Sequence, residues 1–132
     1  MYIFIIILFV ISFLFSFLIF LTYRKKKKLS NKDNKFILKK WNQIQDNQDK
    51  KSAIIEADKV LYFTLMKKGI NGTLAEKLKI ANAFFSDLNG IWEAHKLRNK
   101  IVHELDIKIS EFELKRALGN FKRALRDLGV QF

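Results

Sequence analysis

The first 23 residues, MYIFIIILFVISFLFSFLIFLTY, carry no charged side chain. About 20 apolar residues are enough to cross the hydrocarbon core of a bilayer, and within the bilayer a helix satisfies every backbone N–H and C=O inside one segment. Tyr2 to Thr22 is therefore predicted to be a single transmembrane helix. A cleavable signal peptide is the competing reading. It would call for a basic start, a shorter apolar run and a small-x-small cleavage pattern, and the sequence has none of these.

Five cations, Arg24, Lys25, Lys26, Lys27 and Lys28, follow the apolar run directly. A basic cluster on one flank of a span marks the cytoplasmic side, so the N-terminus is expected outside and the C-terminal domain in the cytoplasm, with the chain in the cell membrane as a single-pass protein. The same cluster is suited to anionic headgroups or RNA phosphates, although stop-transfer and orientation account for it first. The sequence thus divides into an anchor over 1–23, a polybasic juxtamembrane linker over 24–32 and a domain over 33–132.

From Leu29 onward the chain has 104 residues, enough for one domain with a modest core. It holds 20 Lys and Arg against 13 Asp and Glu. That surplus suits a polyanionic or membrane-surface partner without demanding one. Cysteine is absent, which excludes disulfides, thiol nucleophiles and thiolate metal sites.

Proline is absent too, and apolar residues recur at helical spacing without strand-like alternation, so the fold class is read as all-α: one N-terminal transmembrane helix, then a compact bundle of about five helices. The expected bundle helices run from about Asp33 to Asn47, with Phe36, Ile37, Trp41 and Ile44 as the apolar stripe, and from Lys51 to Lys68, closed by Gly69. The third opens at Thr73, which has capping-box spacing to Glu76, and ends near Phe85. The fourth covers Ile91 to about Leu105. The fifth opens at Ser110, with Glu113 completing a second box, and ends at Gly129.

On a wheel of about 100° per residue, Ile91, Ala94, Leu97, Ile101, Val102 and Leu105 of the fourth helix form one apolar arc, and Arg98 falls inside it. His95, Asn99 and His103 make a polar stripe beside that arc. In the second helix Asp58 falls among Ile54, Ile55, Leu61, Tyr62 and Leu65. A buried charge must be neutralised or partnered, so Asp58 is predicted to meet Arg98 where these helices pack, with His95 and His103 at the rim. With 20 Lys to 5 Arg in the chain, an Arg at this place suggests that guanidinium geometry is wanted.

The segment RNKIVH, Arg98-Asn99-x-x-x-His103, resembles the signature of the HEPN superfamily, in which an Arg, a following polar residue and a His lie on one helix of an α-helical bundle. The preceding IIEADKVLYFTLMKKGINGTLAEKL, a helix, a Gly-containing turn and another helix, is similar as well; the resemblance covers roughly residues 50 to 128. It implies a homodimer with the motif helices at the interface and a metal-independent endoribonuclease. It also implies roles: His103 as general acid/base for attack of the ribose 2′-OH on phosphorus, Arg98 stabilising charge on phosphoryl oxygens, and Asn99 positioning substrate or His103. Members of the superfamily also serve as non-catalytic dimerisation or nucleotide-binding modules.

Other signals are weaker. His95 and His103 are too far apart along the helix to share a metal, and no phosphate loop, nucleophile triad or dinucleotide fingerprint occurs, so no metal and no cofactor are assigned. Lys115, Arg116, Lys122, Arg123 and Arg126 give the last helix a basic face, either a solvated surface or an RNA groove. The expected partners are the lipid bilayer, a second copy of the chain, RNA, and a protein of unspecified identity. The alternative to RNA binding and cleavage is a membrane-anchored interaction module in which Asp58, Arg98, Asn99 and His103 form a structural network. A third reading is a small membrane subunit whose domain docks a partner helix.

Overall fold

The computed structural model describes residues 1–24 and 28–132, with only the backbone described over 20–24. Lys25, Lys26 and Lys27 of the polybasic cluster lie outside the described residues. The fold is all-α: six helices and no strand among the described residues. They are α1 (Tyr2–Arg24), α2 (Asn31–Asp46), α3 (Lys50–Lys67), α4 (Leu74–Ile80), α5 (Leu88–His103) and α6 (Glu111–Asp127), with a 3-10 turn over Asn82–Phe84 after α4.

Residues 2–19 of α1 carry no charged side chain, and all of them are exposed, outside the core. By length and composition α1 is able to cross a membrane, as a membrane anchor or a signal sequence would. Among the described residues the core is assembled by α2 to α6 with the segments that join and follow them, so residues 28–132 hold a complete core of their own. α3 is its axis, packing against α2, α5 and α6, while α5 and α6 also pack on each other. Ile54, Ala57, Leu61 and Leu65 of α3, Trp41 of α2, Ile91 of α5 and Phe121 of α6 are buried at the centre.

Local chemistry sets the helix ends. Ser30 caps α2, which starts at Asn31, two residues ahead of the expected start, by accepting from Asp33 N, and Asp49 caps α3 by accepting from Lys51 N and Ser52 N. The two capping boxes expected at Thr73/Glu76 and Ser110/Glu113 are both formed. α3 and α6 end alike. Gly69 and Gly129 adopt φ of 80° and 94°, Gly69 N donates to Met66 O and Ile70 N to Leu65 O, and Gly129 N and Val130 N repeat the pattern on Arg126 O and Leu125 O. Each is a Schellman closure whose following residue, Ile70 or Val130, is buried.

Several sequence expectations shift. The third bundle helix stops at Ile80 rather than Phe85, because the chain tightens into the 3-10 turn and brings Phe84 and Phe85 against the core. α5 begins at Leu88, where the Asp87 side chain accepts from Gly90 N, and it stops at His103. Leu105 therefore leaves the helix and is 95 % exposed, and Val102 is also exposed, so neither belongs to the buried arc. Phe36 of the α2 stripe stays half-exposed, its ring 5.1 Å from that of Phe63. The linker narrows because α1 and α2 both extend into residues 24–32.

Glycine at the end of α6 and glycine within it should respond oppositely to alanine. A Cβ meets nothing within 4 Å at Gly129 or at Gly119, so only backbone preference differs. Gly129→Ala, forced into the left-handed region, is expected to destabilise residues 28–132 by about 1–2 kcal/mol. Gly119→Ala, in regular helix, should stabilise by roughly 0.5–1 kcal/mol. Urea denaturation followed by helical circular dichroism measures both.

The two boxes also predict a pH dependence. Hydrogen bonds from the backbone and side chain of Thr73 hold the Glu76 carboxyl below the ordinary 4.5, and those from the Ser110 side chain and backbone do the same for Glu113. Because the folded state lowers these values, their contribution is complete above 4.5 and disappears as pH falls through the folded values. Glu76→Gln with Glu113→Gln should flatten the acid limb of the urea midpoint plotted against pH.

Candidate functional site

The polar residues of α5 close into a ring with one carboxylate of α3. Asp58 sits four residues after Ile54 and one after Ala57, so α3 carries it into the α3–α5 contact, where its side chain is only 8 % exposed. Its Oδ1 lies 2.8 Å from His95 Nδ1. Its Oδ2 lies 3.5 Å from Arg98 Nε, an ion pair by separation although Nε makes no hydrogen bond. Arg98 Nη1 donates to Asn99 Oδ1 at 2.9 Å, and Asn99 Nδ2 lies 3.4 Å from His95 Nε2.

The hydrogen-bond roles follow from this circuit. Arg98 has only donors and so fixes Asn99 Oδ1 as the acceptor, which turns the amide nitrogen towards His95. His95 Nε2 then accepts, and Nδ1 carries the proton that is donated to Asp58. The Asp58 carboxylate and the Arg98 guanidinium stand at ion-pair separation, and a paired buried ion is far less costly than either ion alone. Asp58 and Arg98 meet as the wheel predicts. His95, expected at the rim, makes the shorter contact to Asp58.

The structure does not bring His103 into this ring. It ends α5, is exposed, and makes no hydrogen bond or ion pair among the described residues. Val102, Leu105 and Phe112, the last 71 % exposed, give the same end of the molecule an apolar surface. Glu104 follows as the C-cap with an extended backbone.

The basic face of α6 is largely committed. Arg116 donates to Glu93 at 2.8 Å and Arg123 to Asp87 at 2.9 Å, Lys115 lies 3.5 Å from Glu111, and Lys122 and Arg126 stand over the Phe132 ring. The Arg116 and Arg123 pairs link α6 to α5 and its cap, beside a groove between the two helices lined by Glu93, Lys96, Lys100 and Glu113. No group of three His, Asp or Glu suited to a metal occurs among the described residues.

Sequence reasoning missed Lys77. It is 1 % exposed, its Nζ donates to the Ile70 carbonyl and stands 4.4 Å from the centre of the Tyr62 ring, one turn beyond Asp58 on α3. Burial pushes the Lys77 amine below its ordinary value. The signal was present: Leu74, Lys77, Leu78 and Ala81 have the i, i+3, i+4, i+7 spacing of a buried stripe.

In comparisons with known proteins, no family model matches the sequence, and neither a curated protein nor a solved structure gives a significant match.

The ring predicts coupling between its charges. Asp58→Ala takes the acceptor from His95 and the counter-charge from Arg98, and is expected to cost residues 28–132 about 2 kcal/mol in urea unfolding. Asp58→Asn combined with Arg98→Gln should cost less than the sum of the two single changes. Strict additivity would show that Asp58 and Arg98 carry no interaction energy with each other.

Proposed function

We propose that this protein is a membrane-tethered, HEPN-like helical module that pairs with a second copy along α5, binds RNA, and cleaves it by metal-independent acid/base chemistry. The observation that carries the reading is the division of labour on α5: Arg98 is held in place by Asp58 and Asn99, while His103 remains exposed and free of any competing partner among the described residues. A guanidinium has five N–H donors, and one directed at Asn99 and one at Asp58 leave three for a phosphate. Its side chain is 26 % exposed, so these donors have a route to solvent.

His103 has the chemistry to take the proton from a ribose 2′-OH at neutral pH. The 2′-oxygen then attacks the adjacent phosphorus, the bond to the 5′-oxygen breaks, and that oxygen leaves with a proton. The products are a 2′,3′-cyclic phosphate and a 5′-hydroxyl. Arg98 stabilises charge on the phosphoryl oxygens, and Asn99, already bonded to Arg98, fixes the guanidinium. Arg98 and His103 lie about 140° apart around an ideal helix, so one copy does not converge them on a single phosphate. A two-fold axis along α5 provides both groups to one groove, and the exposed Val102, Leu105 and Phe112 supply apolar surface for that pairing.

The anchor reading of α1 rests on its length and lack of charge, and the basic residues from Arg24 to Lys28 favour the N-terminus outside and the bundle in the cytoplasm. A second reading is favoured by the closure of the ring: with Asp58, His95, Asn99 and Arg98 all partnered, the motif serves equally to fix α5 on α3 in a non-catalytic interaction module.

Incubation of residues 28–132 with a mixed RNA pool in EDTA separates these readings. Wild type is expected to leave 2′,3′-cyclic phosphate ends, and His103→Ala to reduce cleavage by about 10²–10⁴-fold with the melting profile unchanged. Intact RNA after exposure to a folded, dimeric wild type would assign the ring to structure instead.

A further inference from the structure

We propose that the exposed lysine face of α2 is a docking surface for anionic lipid headgroups in the same bilayer that α1 enters. Lys32, Lys35, Lys39 and Lys40 are all exposed on α2, and at about 100° per residue they occupy one continuous sector with Phe36 among them. Lys40 Nζ lies 5.8 Å from the Phe36 ring centre, so the stripe pairs cations with a half-exposed aromatic, a combination suited to the headgroup region.

These four lysines have no carboxylate partner among the described residues. The cations on the adjoining helix α3 do: Lys59 pairs with Glu56 at 2.7 Å and Lys67 with Asp33 at 3.4 Å. Asp33 is thus taken up by Lys67, Glu56 by Lys59, and Asp46 lies at the far end of α2. The sector therefore presents uncompensated positive charge, complementary to an anionic leaflet.

Chain connectivity supplies the occupant. Seven Cα steps separate Arg24, the last residue of α1, from Asn31, the first of α2, so the start of α2 lies within about 24 Å of the end of the anchor even at full extension. Lys28, on that link, is exposed as well. A basic face held this close to a bilayer meets its headgroups at an effective concentration that no free polyanion shares. The inference rests on the reading of α1 as the membrane anchor.

The absence of cysteine allows clean single-site labels in the full chain. A polarity-insensitive fluorophore is placed at Gln43→Cys on the α2 face, at Lys96→Cys on α5, which packs on α3 and α6, or at Ser16→Cys within α1. Each protein is reconstituted in vesicles of phosphatidylcholine, alone or with phosphatidylserine, and quenched by aqueous acrylamide or by a lipid-borne nitroxide. With phosphatidylserine, acrylamide quenching at position 43 is expected to fall severalfold and to recover in high salt, while position 96 stays unchanged. Lys32→Gln, Lys35→Gln, Lys39→Gln and Lys40→Gln together should abolish the protection without altering the melting profile, since all four side chains are exposed.

Position 16 separates the two ways of failing. Nitroxide quenching there in both lipids shows that the anchor is inserted; acrylamide quenching there would refute the anchor reading, and the proposal with it. With the anchor inserted, equal acrylamide access at position 43 in both lipids would overturn the proposal alone. So would protection that appears only when RNA is added to neutral vesicles, which would assign the face to nucleic acid.

Discussion

A carboxylate in an apolar interface has to be answered, and the answer to Asp58 fixes how α5 lies on α3. Without partners, an ionised side chain only 8 % exposed would be costly enough to open the contact. His95 and Arg98 both reach it, from positions three apart on α5, and this pair of contacts defines the rotation of α5 about its own axis. Once that rotation is set, Ile91 and Ala94 face the core and Arg116 of α6 finds Glu93. His103, eight residues beyond His95, is carried past the end of the α3 contact into solvent. The exposure of the candidate acid/base is thus a consequence of a buried charge two turns away.

The rest of the charge distribution follows the same economy. Where helices pack, cations meet acids or ring faces: α6 with α5, Lys67 with Asp33, Lys77 with the Tyr62 ring. On the outward surface of α2 the lysines are left without acids among the described residues, as are Lys96 and Lys100 of α5. Paired surface ions add little to stability, so their value lies in fixing which faces of the bundle remain basic. α3 packs against both α2 and α5.

Much of this was legible in the sequence because it depends on short-range pattern. The capping boxes at Thr73 and Ser110, the glycine closures at Gly69 and Gly129, and the misfit of Asp58 and Arg98 on their wheels are all set within a few residues. What stayed hidden depends on which surfaces a neighbour covers. Phe36 has the spacing of a core residue but is covered on one side only, by Phe63 of α3, and the apolar arc of α5 continues through Val102 and Leu105 to where nothing among the described residues covers it. His95 looked peripheral because an ideal wheel gives angles without side-chain reach. The imidazole bridges a gap that Arg98 Nε spans only at 3.5 Å.

The ring also bears on how an Arg can be both structural and functional. Asp58 neutralises the charge of Arg98, so a phosphate approaching α5 gains little long-range attraction from this residue. What remains is geometry: Asn99 and Asp58 hold the guanidinium plane before any ligand arrives, and the ordering cost of a long, flexible side chain is already met in the folded protein. A lysine in the same place would present a point charge with none of that orientation. An Arg at this place, in a chain so rich in Lys, lets one side chain reach both Asp58 and Asn99 and, under the proposed function, still present unused donors to a phosphate.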